Sequence, residues 1–343
     1  MRLVTYADMS GQPRVGIVHG DLIVDPDRAL RAAAELRRRG AGEAPQLPTE
    51  MVAFLETGSR GRDLGALALE QVAQHGPVLT APDGAPAVAP ADGTRLLAPV
   101  PRPRRIRDYL TYKDHADGSG LPVTPAFAAM PICYKCNVET IIGPGDPLLW
   151  PSYTAQLDFE LELGFFISGG GVNLTPKQAT GLIAGVTIFN DVSARDIQKF
   201  EMALTIGPSK GKDFCSVMGP CILTMDEVDE WSVQMAARVN GETWATGTTR
   251  NRQFSFAEVL AWASLHEPVY PGEFFAIGTI GGGCGKELDR WIQPGDVVEL
   301  EASGVGVLSN PVGTRETAPP GAGVPSYVGA PHVSIRPQTS PQA

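Results

Sequence analysis

The chain has 343 residues, with 28 Lys and Arg against 38 Asp and Glu, for a formal net charge of -10. That excess of acid argues against a nucleic-acid partner, which needs clustered Lys and Arg to displace counterions. No apolar run reaches the ~18 residues of a membrane helix, and Gly (39) with Pro (30) favours many turns and a strand-rich architecture over a helical bundle.

In chain order, short strands are expected at 2–6, 14–19 and 22–24, the first two around Gly11-Gln12-Pro13. A helix is expected over 27–39, with helical patches at 50–55 and 63–74. From 81 to 103 the composition shifts to Pro, Ala and Gly, which reads as a linker. Residues 1–95 are therefore taken as a small N-terminal β/α module and linker, and 105–315 as the main domain. Within the latter, Thr175 with Gln178 and Ser255 with Glu258 match the capping box that opens a helix. Residues 316–343 are rich in Pro, Gly and Ser with little apolar content, the composition of a disordered tail. Five cysteines, an odd number without regular spacing, suggest reduced thiols. The N-terminal residues carry no apolar signal-peptide core, and a cytoplasmic location is expected.

The run from Leu157 to Phe166 alternates strictly. A side-chain period of 2 puts Asp158, Glu160 and Glu162 on one face and Leu157, Phe159, Leu161 and Leu163 on the other. Three carboxylates on one face repel unless the face is wet or holds a cation. Both readings stand: an edge strand with a solvated acidic face, or a cation site. Two further acids are candidates, Asp191 after an apolar strand and Asp108 seven residues before His115. Oxygen-only donors suit Mg²⁺, Mn²⁺ or Ca²⁺, whereas zinc would want more His or Cys. His115 by itself reads as an ordinary surface histidine among Lys113, Asp114 and Asp117. Cys133 and Cys136 have metal-like spacing but no second pair. The glycines from Gly281 to Gly285 lack the P-loop signature and read as a site loop or tight turn.

Five ordered segments together resemble the fumarylacetoacetate hydrolase superfamily. They are the run Asp108–His115, the acidic strand from Asp158, the run Asn190–Lys199, Gly211-Lys212-Asp213-Phe214, and Gly278-Thr279. The resemblance covers about residues 105–312. It implies a strand-rich α+β fold, a mixed β-sandwich roll with peripheral helices, beside an N-terminal module like that of many members. It implies metal ligands at Asp108, Glu160, Glu162 and Asp191, setting Asp158 aside. It places the catalytic histidine at His115, with Glu287 orienting it, and Lys212 beside the developing oxyanion. Gln198, Tyr134 and Thr279 would contact substrate. A homodimer is also implied.

The chemistry implied is metal-dependent cleavage of a C–C bond in a 1,3-dicarbonyl or acylpyruvate-type keto acid. His115 would activate water, and a divalent cation, Mg²⁺ first, would stabilise the enolate. Decarboxylation, tautomerisation or dehydration of a related keto acid on the same metal site is the alternative, and a non-catalytic metabolite-binding member is the third reading. Three departures narrow the substrate. Met202 stands where fumarylacetoacetases carry a second site tyrosine, no arginine occurs between 116 and 130 to hold the substrate carboxylate, and Gly118 stands where the short-chain acylpyruvate and oxaloacetate branch has a glutamate.

Overall fold

Leu3, Val4, Val15, Ile17, Ile23 and Val24 are buried, and the first three apolar runs form antiparallel strands, Arg2–Ala7, Pro13–His19 and Leu22–Val24. The computed structural model describes residues 1–36 and 46–323. Helices Pro26–Leu36, Met51–Glu56 and Ser59–His75 follow. The last residues of the first expected helix, 37–39, and most of the expected tail, 324–343, lie outside the described residues. Both capping boxes are present, opening the helices Pro176–Thr180 and Phe256–Ala263.

The 81–103 stretch is not a free linker. Its residues Val88–Pro90 pair with Leu22–Val24, and Ala87, Ala98 and Val100 are buried. Small apolar side chains let this segment pack closely, and a proline is tolerated on an edge strand, where its missing N–H is not needed.

Arg2–Ala7 also pairs with Ser216–Thr224, so one eleven-stranded sheet joins the N-terminal strands to the rest. Its order runs Val88–Pro90, Leu22–Val24, Pro13–His19, Arg2–Ala7, Ser216–Thr224, Ile183–Asn190, Glu160–Ile167, Phe274–Cys284, Ile106–Leu110, Ile132–Cys136. Ile141–Ile142 pairs in parallel beside Ser216–Thr224. A second, five-stranded sheet runs Glu242–Thr248, Gln234–Val239, Val297–Ala302, Gly306–Arg315, Leu148–Trp150.

The two sheets share a core in which Leu161, Leu163 and Phe165 join Met235, Ala237, Leu300 and Leu308. Phe165 stacks at 4.8 and 5.0 Å on Phe256 and Phe275, contacts worth about 0.5–1.5 kcal/mol each beyond burial. A second core joins Phe166, Phe189 and Phe274 to Leu3, Ile17, Leu30 and Phe54 of the N-terminal elements. The fold is thus α+β and strand-rich. Among the described residues no helix is long and apolar enough to cross a membrane.

The acidic strand is central. Every residue of Glu160–Ile167 is buried between Ile183–Asn190 and Phe274–Cys284, which removes the solvated-edge reading. The run is also not one strand. Leu157–Asp158 pairs with Ser193–Ala194, and the ladder breaks at Phe159. There the Asp158 carboxylate accepts the Phe159 N–H at 2.9 Å, and Asn190 Oδ1 accepts the Glu160 N–H at 3.1 Å. Side chains replace strand partners at that point.

Candidate active site

The site sits where four neighbouring elements end. Glu162 lies opposite Thr279 and Glu160 opposite Cys284, so residues 280–283 bulge out of the Phe274–Cys284 strand. The glycine run is therefore the bulged end of a strand rather than a separate loop. Gly278 has φ +91°, and a Cβ there would lie 2.3 Å from the Tyr109 carbonyl oxygen; only glycine allows this approach of Thr279 to the Ile106–Leu110 strand. Ala276 pairs with Asp108, and Asp108 pairs with Tyr134. Asp191 follows the last residue of Ile183–Asn190.

Asp108, Glu162 and Asp191 are buried, and each offers a carboxylate oxygen within 4.8 Å of the other two. Thr279 Oγ1 donates to Glu162 at 2.8 Å. The Tyr134 hydroxyl donates to Asp108 at 2.9 Å and also touches Asp191. Lys212 Nζ donates to Glu160 at 2.5 Å and to Asp191. Two buried oxygens, Glu162 Oε2 and Asp191 Oδ1, have no hydrogen-bond partner.

The charges explain the titration of the groups. Burial, then Asp191, pushes the Asp108 carboxyl well above the usual range, and burial, then Asp108, does the same to Glu162. Burial raises Asp191 as well, although Lys212 opposes it. Glu160 goes the other way: burial works against its charge, but Lys212 and Arg195 override that and hold it low. Burial likewise opposes the charge of Lys212, yet Asp191 and Glu160 keep it above the usual lysine value.

Three carboxylates that repel one another, with two orphaned oxygens, fit a hard dication. Of the four expected ligands, these three converge. Glu160 turns instead toward cations, 2.5 Å from Lys212 and 2.8 Å from Arg195.

His115, on the short helix Lys113–Gly118, has Nδ1 2.8 Å from Glu287 Oε2 and Nε2 3.9 Å from Glu160. Glu287 is held from its other side by the Gly282 N–H at 3.0 Å, and Cys284 Sγ lies 3.3 Å from Oε2. Asp158 has a separate task. It accepts the N–H groups of Gly285 and Lys286 at 2.8 and 3.0 Å and the Arg195 Nε–H at 2.8 Å. It thereby fixes the turn that carries Glu287.

Sequence reasoning assigned no part to Arg195, Cys284 or Lys286. For Arg195 a signal was present: a lone cation four residues after Asp191 beside an acidic strand. Gln198 accepts from Arg195 at 3.0 Å. A cavity of about 690 Å³ opens over most of the set, lined by Asp108, His115, Tyr134, Glu160, Glu162, Gln198, Lys212 and Thr279, with Lys199, Met202 and Lys286 among its other wall residues.

Comparison with known proteins places the chain among related sequences and folds. A mitochondrial oxaloacetate tautomerase of Xenopus laevis is 31% identical over 271 residues, 78% of this chain and 80% of that protein. The structure of a fumarylacetoacetate hydrolase from Exiguobacterium antarcticum is 26% identical with a TM-score of 0.65, covering 92% of this chain and 100% of that one. The fold is shared with a maleylpyruvate hydrolase of Sphingobium sp. SYK-6, crystallised with manganese(II) and pyruvate (22% identity, TM-score 0.66, 92% and 100% covered). Residues 104–313 match the model of the fumarylacetoacetate hydrolase C-terminal domain, and the chain belongs to that family.

Proposed function

We propose that this chain moves a proton on a 2-oxo acid with a second carbonyl or carboxyl group β to the first, interconverting keto and enol forms of an oxaloacetate-type substrate. The observation that carries the reading is the His115–Glu287 pair, whose imidazole lines the same cavity as Asp108 and Glu162 of the under-paired trio. The similarity to a named oxaloacetate tautomerase supports it. Asp108, Glu162 and Asp191 would hold the dication, with Glu160 at their side. Mg²⁺ is the ion proposed for this oxygen-only set, and Mn²⁺ or Ca²⁺ suits the same donors. When bound, such an ion supplies Lewis-acid polarisation of the substrate oxygens.

The chain's own residues do the rest. An ionised Glu287 can only accept, so in the neutral ring the Nδ1 of His115 carries the hydrogen and Nε2 keeps its lone pair. Nε2 takes the proton from the carbon between the two carbonyl groups and returns it to oxygen, or the reverse. Glu287 stabilises the imidazolium formed between the two steps. The Lys212 ammonium places positive charge where oxygen becomes negative. Gln198, Tyr134 and Thr279 contact the substrate oxygens. A cytoplasmic homodimer belongs to the same proposal, checked by fractionation and light scattering.

The second reading is hydrolytic C–C cleavage of an acylpyruvate, in which His115 takes the proton from water. The same pair favours it, and a structural relative is named a fumarylacetoacetate hydrolase. The two are separated by supplying oxaloacetate enol and acylpyruvates to the Mg²⁺-loaded protein. Faster enol decay without acylpyruvate loss supports tautomerisation, and acylpyruvate cleavage alone supports hydrolysis. Turnover of neither substrate removes both readings.

A further inference from the structure

We infer that His115, Cys284 and Glu287 form a second cation site, suited to a borderline or soft dication such as Zn²⁺, and that an ion bound there switches His115 off. His115 Nδ1, Cys284 Sγ and a Glu287 carboxylate oxygen all lie within 4.8 Å of one another. His115 and Cys284 are buried, and the Glu287 side chain is 4% exposed. Two pieces of backbone supply them: the Lys113–Gly118 helix, and the continuous stretch in which the Phe274–Cys284 strand runs into the Gly285–Leu288 turn that Asp158 anchors. Zinc bonds of about 2.0–2.3 Å at tetrahedral angles set ligand atoms about 3.4–3.6 Å apart. The separations here are 2.8 Å from nitrogen to oxygen and 3.3 Å from sulfur to oxygen. A small outward rotation of side chains seats the ion, and a water completes the tetrahedron.

The neighbouring carboxylate trio offers oxygen alone, whereas this set offers nitrogen, sulfur and oxygen. Donor softness therefore sorts cations between the two sites. The proton balance determines the consequence. Cys284 gives its thiol proton to solvent as it becomes a ligand. His115 keeps one proton, but an ion on Nδ1 moves it to Nε2, the nitrogen that faces Glu160 and the cavity. An Nε2 that already carries a hydrogen cannot take one from substrate or water. One proton leaves per ion, nothing is oxidised or reduced, and Asp108, Glu162 and Asp191 keep their own cation.

The expected loss of turnover rests on the proton-transfer role proposed above; the binding does not. The test uses the full chain saturated with Mg²⁺. Zn²⁺ is titrated by calorimetry with bound Mg²⁺ measured, Co²⁺ is followed for a thiolate-to-metal charge-transfer band, and turnover is assayed at each step. One equivalent of Zn²⁺ is expected to bind without releasing Mg²⁺, with the cobalt band present and turnover lost. Cys284→Ser, folded as judged by intact Mg²⁺ binding, should lose the band and weaken Zn²⁺ binding by about tenfold or more. Should that variant fail to fold, Glu287→Gln, read by binding alone, should weaken Zn²⁺ to a similar degree. Zn²⁺ that displaces Mg²⁺, gives no thiolate band, or binds equally to wild type and variants overturns the inference. A protein that shows the band but turns over no keto acid even before Zn²⁺ is added retains the site and refutes the functional reading instead.

Discussion

Near the N-terminus Asp25 is 1% exposed and accepts from Tyr6 Oη at 3.0 Å, Arg14 Nε at 2.6 Å and the Arg28 N–H at 2.9 Å. Its neighbours are paired as well: Asp27 with Arg31 at 3.0 Å, and Asp8 with Arg28 at 2.8 Å. At the sheet centre Asp108, Glu162 and Asp191 are just as buried, but Lys212 is the only cation that touches the trio among the described residues, and two oxygens have no partner. Both clusters remove carboxylates from water, and only the first returns what water supplied. Each acid of the first has its arginine, so the cluster works as structure. The second stays short of positive charge, and that deficit is what a dication fits.

The comparison breaks most sharply in activity. His115→Ala should cut turnover by about 10²- to 10⁴-fold, the usual contribution of a positioned base. Mg²⁺ binding should persist, as kinetics and calorimetry on the same sample would show. Asp25→Asn should do the opposite, leaving turnover intact while costing about 3 kcal/mol of stability, because it leaves the guanidinium of Arg14 beside a neutral amide. Denaturant unfolding checks this; an Asp25→Asn protein as stable as wild type would mean the pairing is ornamental.

A related substitution in the second cluster should have the reverse sign. In metal-free protein Glu162→Gln removes a repelled charge and should raise stability on the order of 1 kcal/mol, roughly 2–4 °C in midpoint. A midpoint that falls by that amount would show the trio is already satisfied.

Acidity sharpens the same contrast. The Asp108, Glu162 and Asp191 carboxyls have raised values in the folded state. Between the ordinary carboxyl range and those raised values the folded chain holds more protons than the unfolded one. Metal-free protein should therefore lose stability as pH rises through that window and regain it as pH falls. Asp8, held low by its Ser10 and Arg28 contacts, contributes stability that is present above the ordinary range and lost in acid. Mg²⁺ must displace protons from the trio, so its affinity should weaken on acidification. Midpoints measured with and without Mg²⁺ from about pH 7 to about pH 5 should converge as the acid end is reached.

Much of this was legible before any coordinates. The alternation around Glu160 and Glu162, the capping boxes at Thr175 and Ser255, and the distance from Asp108 to His115 are local patterns, and local patterns survive folding. Depth is not local. A period of 2 reports which face a carboxylate occupies, and it cannot distinguish an edge strand from the central one that Glu160–Ile167 proves to be. The task of Asp158 depends on N–H groups 127 and 128 residues away, and the turn of Glu160 toward Arg195 and Lys212 depends on a choice among partners that only packing settles. The 81–103 stretch misled for a related reason: Pro and Ala mark loose linkers and closely packed edges alike.

The central claim is that Asp108, Glu162 and Asp191 are under-paired because they hold a cation. Calorimetric titration of Mg²⁺ into chelator-stripped protein, wild type beside Glu162→Gln, tests it most directly. One equivalent bound by wild type and none by the folded variant is the predicted result; equal binding by both, or by neither, would contradict it.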